Sequence, residues 1–115
     1  MHELSIAESV IDIAVRNCLA SGHSVIGKIS LSVGSASGVM PAALSFAFEA
    51  IKRDTIASGA VLCINTVPIS GVCADCRGEF TSYEQYILFS CPKCNSAAIT
   101  ITGGFEMDMI ELEVE

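Results

Sequence analysis

Four of the six cysteines fall into two C-x2-C pairs, CADC at Cys73 and Cys76 and CPKC at Cys91 and Cys94, with residues 77–90 between them. A C-x2-C turn brings two thiolates onto one ion while its backbone amides point toward the sulfurs. Two such turns complete a tetrahedral four-sulfur shell that suits zinc at about 2.3 Å per bond. All four donors would be thiolates, so no position stays open for a substrate water and the expected Zn(II) is structural. A redox dithiol of thioredoxin type would need one such pair at the start of a helix, whereas here two pairs sit among turn residues. A rubredoxin-like iron site uses the same sulfur geometry and stays open as a rival.

A second constellation stands at the other end, in Met1-His2-Glu3, where one of only two histidines follows the first methionine. A free amine at Met1, the backbone nitrogen of His2 and its imidazole can close fused chelate rings around a square-planar ion. Glu3 can add its backbone nitrogen or its carboxylate. Nitrogen and oxygen donors in a tetragonal arrangement favour Ni(II) or Cu(II) over zinc. The competing reading of these residues is a solvated terminal histidine followed by an ordinary first-turn acid.

The elements that must position these groups can be read from periodicity. From Leu4 to Leu19 apolar residues recur at helical spacing, with Ser21-Gly22 as a stop. SVIGKISLSV alternates, with Ile29, Leu31 and Val33 on one side and Lys28, Ser30 and Ser32 on the other, as in a half-buried strand. Pro41 opens a second helix, PAALSFAFEAIKRD, whose Leu44, Ala47, Phe48 and Ile51 share a face. AVLCINTV reads as a second strand. At Pro68 the texture changes to short segments and cysteine turns, with ribbon strands expected at YILFS and AAITITG, and it changes back near Gly103-Gly104. FEMDMIELEVE then alternates in two phases that switch at Met109-Ile110, which suggests a bulge in a last strand. The expected fold is therefore α+β: a small two-helix, three-stranded body from 1–67 plus 104–115, with a zinc-ribbon domain inserted at 68–103.

Composition narrows the function. The chain has 115 residues, 51% of them hydrophobic, so it can bury a core, and its formal net charge is -7. That charge repels phosphate backbones and anionic lipid. No apolar run approaches a membrane span, and Glu8 and Asp12 interrupt what would be the apolar stretch of a signal peptide, so a cytoplasmic location with reduced thiols is expected. An enzyme is not expected: there is no Gly-rich phosphate loop and no histidine beside a candidate nucleophile.

MHELSIAES, SASGVMPAALSFAFE, CADC, CPKC and the closing IELEVE, in this order across nearly the whole chain, resemble the hydrogenase maturation nickel-incorporation family, HypA/HybF. The resemblance implies a metallochaperone that delivers Ni(II) to the large subunit of [NiFe]-hydrogenase in partnership with a nickel-linked GTPase, HypB. In some organisms relatives also serve urease, so urease maturation proteins are further candidate partners. By position, the nickel ligands carry over to Met1, His2 and Glu3 and the zinc ligands to Cys73, Cys76, Cys91 and Cys94. Ser35 and Met40 depart from the pattern, since many relatives carry acidic residues there.

The other chemically capable residues have quieter explanations. His23 suits a helix C-terminus, Cys18 and Cys63 read as inert thiols, and Met107 and Met109 alternate toward a core. The alternative function is a zinc-ribbon interaction or nucleic-acid module. Against it, Arg77 and Lys93 are the only basic residues in 71–102, and no aromatic-basic platform accompanies them. The zinc ribbon could also act as a register of nickel loading, through strain reaching its connections near Pro68 and Gly103. A monomer and a homodimer are both compatible with the chain.

Overall fold

The computed structural model describes residues 2–115, His2 by its backbone alone. The order is α1 (His2–Ala20), β1 (Ile26–Gly34), α2 (Pro41–Ile51), β2 (Val61–Val67), β3 (Ile69–Cys73), β4 (Glu79–Ser82), a 3-10 turn (Gln85–Leu88), β5 (Ile99–Gly103) and β6 (Met107–Val114). The fold is α+β, with two three-stranded sheets of order β2-β1-β6 and β4-β3-β5. Two compact units are present. One comprises the described residues up to Ser32, Val39–Asn65 and Asp108–Glu115; the other comprises Val33–Gly38 and Thr66–Met107.

In the first unit, the apolar spacing of α1 buries Ala7, Val10, Ile11, Ala14 and Cys18. The helix ends in a Schellman motif: Gly22 takes φ 83, the His23 N–H donates to Cys18 O at 3.0 Å and the Gly22 N–H donates to Leu19 O at 3.0 Å. His23 thus sits just past the helix end, its Nδ1 3.0 Å from Ser21 Oγ. Helix α2 begins with Pro at its first turn and buries Leu44, Ala47 and Phe48. It ends at Ile51 rather than continuing through Asp54: Lys52 is its C-cap, its N–H donating to Phe48 O at 3.1 Å, while its ammonium donates to Glu49 and to Ala60 O and lies 5.5 Å from the centre of the Phe48 ring. Each large side chain buried here stabilises the unit by about 1.5–3 kcal/mol.

Strand β1 departs from its expected alternation. Ile29, Leu31 and Val33 are buried as the pattern requires, but Ser30 is only 5% exposed. As the central strand, β1 is covered on its polar side by long neighbouring side chains, including Glu111, whose carboxylate accepts a 3.5 Å hydrogen bond from Ser30 Oγ. In β6 the half-buried positions are Met107, Met109, Leu112 and Val114, so the phase does switch. Ile110 and Glu111, adjacent, are both exposed, which places the switch one residue later than the sequence suggests.

The second unit reaches beyond 68–103. Gly34 N–H donates to Glu106 O, Ser35 N–H to Val67 O and Ala36 N–H to Gly104 O, and these bonds draw 33–38 and the ends of β2 and β6 into it. An ideal Cβ at Gly34 would collide with the Gly104 carbonyl, and Gly104 itself has φ 106, so this crossing needs both glycines. β3 pairs antiparallel with β4 (Val72↔Glu79) and with β5 (Cys73↔Ile99). YILFS is not a strand. Residues 85–88 form a 3-10 turn that buries Ile87 and exposes Tyr86 and Phe89, whereas a strand would have set Phe89 on the same face as Ile87. The ribbon strands come instead from ISGVC and EFTS, short runs flanking the first cysteine turn, and from ITITG.

Candidate metal centre

Strands β3 and β4 present the first C-x2-C pair at their connecting turn, and the second pair lies between the 3-10 turn and β5. Both turns close the same way. The N–H of the first cysteine donates five residues on, Cys73 to Gly78 O at 3.0 Å and Cys91 to Ser96 O at 2.8 Å. The residue after the second cysteine takes a left-handed conformation, Arg77 at φ 59 and Asn95 at φ 64. Asparagine tolerates that region well, whereas arginine is held there by its turn. Ser96 Oγ donates to the Asp75 carboxylate and so fastens one turn to the other. Lys93 also crosses over: an added Cβ at Gly78 would lie 3.2 Å from Lys93 Nζ and 3.4 Å from Cys76 Sγ.

The four sulfurs converge. Their Sγ atoms all lie within 4.8 Å of one another, with Cys73 to Cys94 at 3.6 Å and Cys76 to Cys91 at 3.8 Å. A tetrahedron with bonds of about 2.3 Å has edges of about 3.8 Å, so the donor set fits a zinc thiolate shell. All six cysteines are free, and Cys73 and Cys91 are buried while Cys76 and Cys94 are exposed.

Local electrostatics distribute the charge unevenly over the set. The backbone N–H of Cys76 holds the Cys73 thiol below its ordinary range, against burial and with help from the Asp75 N–H. Burial pushes the Cys91 thiol up, but the N–H groups of Cys94 and Lys93 and the thiols of Cys94 and Cys76 outweigh it and bring it down to about 7. At Cys94 the Ser96 N–H pulls the other way, yet burial and the three neighbouring sulfurs push the thiol up to about 12. In each turn the amides two and three residues past the first cysteine are thus aimed at its sulfur, as a C-x2-C turn should arrange.

At the chain start, α1 begins at His2, with Glu3 as the acid of its first turn. Met1 and the His2 side chain, two parts of the expected nickel chelate, lie outside the described residues. Glu3 Oε2 accepts a 3.3 Å hydrogen bond from the Met40 N–H at the start of α2. Sequence reasoning missed this contact and the Asp75–Ser96 clamp, since each joins residues far apart in the chain. Asn95, a residue type that favours left-handed turns, was a local signal for how the second knuckle closes. Cys18 is buried in α1, with its thiol 3.7 Å from the Val25 carbonyl oxygen, and Cys63 lies in β2; neither joins the sulfur cluster.

A family model described as hydrogenase/urease nickel incorporation, metallochaperone, HypA matches residues 1–114. The hydrogenase maturation factor HypA of Geotalea uraniireducens is 43% identical over 115 residues, covering all of both chains. That of Geobacter metallireducens is 40% identical over 115 residues, again covering all of both. The solution structure of the Ni metallochaperone HypA from Helicobacter pylori matches with a TM-score of 0.67 at 26% identity, over 99% of this chain and 97% of that one. With the model matched from end to end and relatives of this identity along the full length, the chain belongs to the HypA family of hydrogenase/urease nickel-incorporation metallochaperones.

Proposed function

We propose that this protein binds Ni(II) through Met1, His2 and Glu3 and delivers it for maturation of [NiFe]-hydrogenase, with Zn(II) held structurally by Cys73, Cys76, Cys91 and Cys94. The observation that carries this reading is the extent of the family match, residues 1–114, which takes in both the Met1-His2-Glu3 start and the four cysteines. The nickel chelate belongs to the two-helix body (1–67 plus 104–115) and the zinc to the ribbon (68–103). The Met1 amine, the His2 amide nitrogen and the His2 imidazole supply three donors, and Glu3 supplies the fourth. Since the amine, amide and imidazole must be proton-free to bind, nickel affinity falls as pH drops. Copper would bind such donors more tightly, so nickel loading depends on which metal is available.

The protein works in the cytoplasm as a carrier and not as an enzyme, either as a monomer or as a homodimer. A chelate of four donors at one chain end is open on its flat faces, and an acceptor with more ligands removes the ion by exchange. The GTPase HypB and the hydrogenase large subunit are the partners of that exchange, with urease maturation proteins as further recipients. The closed four-sulfur set offers no position for substrate and takes no part in the transfer. Titration of untagged protein with Ni(II), with zinc counted by elemental analysis, tests the reading. His2→Ala, or an extension ahead of Met1, should abolish nickel uptake and leave zinc content and fold as they are. Undiminished nickel binding by His2→Ala would overturn it.

A further inference from the structure

The two cysteine turns are joined by more than the sulfurs they bring together. Ser96, just past Cys94, is bonded to both. Its carbonyl oxygen accepts from the Cys91 N–H at 2.8 Å and its own N–H is directed at Cys94 Sγ, so its main chain belongs to the second turn. Its Oγ accepts from the Ala98 N–H at 3.0 Å and donates to the Asp75 carboxylate of the first turn. Asp75 mirrors this arrangement: its N–H is directed at Cys73 Sγ, while its side chain reaches the second turn. Beyond these side chains, the Ala74 N–H donates to Ala98 O at 2.9 Å.

From this arrangement we infer that Asp75 and Ser96 form a latch that sets how fast the four-cysteine site exchanges its metal. Exchange requires one turn to let go of the ion before the other does. A turn held beside its partner keeps its freed sulfurs at high effective concentration and rebinds, whereas a turn that swings away yields the ion to a competitor. One exposed sulfur in each turn, Cys76 and Cys94, gives a competitor its way in. Asp75 and Ser96 are thus positioning residues that act on the ligands through hydrogen bonds from outside the sulfur set. The inference rests on the proposed zinc site.

Release of zinc from the full-length protein to a chromogenic chelator tests the latch. Asp75→Ala and Ser96→Ala should each release zinc about tenfold faster than native protein. Asp75→Asn keeps an acceptor and Ser96→Thr keeps a hydroxyl, so both should lie close to native. The double variant Asp75→Ala/Ser96→Ala should be no faster than Ser96→Ala alone, because the two groups share one bond. Thr102→Val removes the 3.4 Å hydrogen bond from Thr102 to Ser70, elsewhere in the same sheet, and should leave release at the native rate. Cobalt(II) loaded in place of zinc should give the same thiolate absorption bands in every one of these proteins, since no ligand is lost. Native release rates in Asp75→Ala and Ser96→Ala, or single effects that multiply in the double variant, would overturn the latch. Equal acceleration by Thr102→Val would reduce the effect to a general weakening of the ribbon and overturn it as well. Native protein with no zinc by elemental analysis and no cobalt–thiolate bands would instead refute the zinc site, and the inference with it.

Discussion

The two units hold their shapes by different means. The first has a core of side chains that nothing but packing requires: Ala7, Ile11 and Ala14 from α1, Ile26, Ile29 and Leu31 from β1, and Leu44 and Phe48 from α2. The second has a buried cluster of Ile69, Cys73, Phe80, Ile87 and Cys91, in which two of the five members are sulfur donors. A unit with so little apolar volume needs a cross-link, and here the cross-link and the core are partly the same residues. With the proposed zinc site, packing fixes one unit independently of metal, while the other depends on what its thiols bind.

Zinc removal should break that contrast most visibly. Chelation of the proposed zinc removes about 10 kcal/mol or more of metal-binding free energy from the second unit. Its amide resonances should collapse to unfolded positions in a heteronuclear NMR spectrum while those of α1 and α2 persist; joint unfolding of both would erase the distinction. The reciprocal change is Phe48→Ala, which empties a fully buried position of the first core. It should cost about 3–5 kcal/mol in denaturant unfolding of that unit, with zinc content unchanged.

A smaller effect is expected within the ribbon itself. Gly71 on β3 leaves room for the Phe80 ring, whose Cζ would lie 2.6 Å from an added Cβ, with Thr100 O at 2.7 Å. Gly71→Ala should therefore destabilise the second unit by about 1–3 kcal/mol, seen as faster zinc loss to a chromogenic chelator, without affecting the first. The smallest effect is a pH dependence in the first unit. A hydrogen bond to Glu111, then the charges of Glu111 and Glu113, raise the Lys28 pKa above its ordinary 10.5, with a minor contribution from Cys63. A raised lysine stabilises the folded state fully below 10.5 and loses that contribution as pH rises through the folded value. Glu111→Gln should flatten this alkaline decline in thermal melts, and only slightly, since the pair is exposed to solvent.

The parts of the fold legible in the sequence were those set by local periodicity or by chemistry with a fixed spacing. The α1 pattern, its Gly22 stop, Pro41 at the head of α2 and the two C-x2-C pairs each carry their structure within a few residues. What escaped was decided by distant neighbours. Ser30 reads as a solvent position and is buried because β1 is central and Glu111 reaches across it. YILFS has the composition of a strand, yet the ribbon places Ile87 in the core and lets the aromatics on either side project outward. β3 and β4 are too short to announce themselves, and their register is set by the cysteine turn between them. The Glu3–Met40 contact joins residues 37 positions apart, so no window along the chain contains it.

Metal-edge X-ray absorption on untagged protein loaded with both ions is the most direct test of separate nickel and zinc sites. The nickel edge should show a first shell of nitrogen and oxygen with no sulfur, and the zinc edge four sulfurs, unchanged by nickel. Sulfur in the nickel shell, or displacement of zinc as nickel enters, would contradict a chelate at the chain start that is separate from the four cysteines.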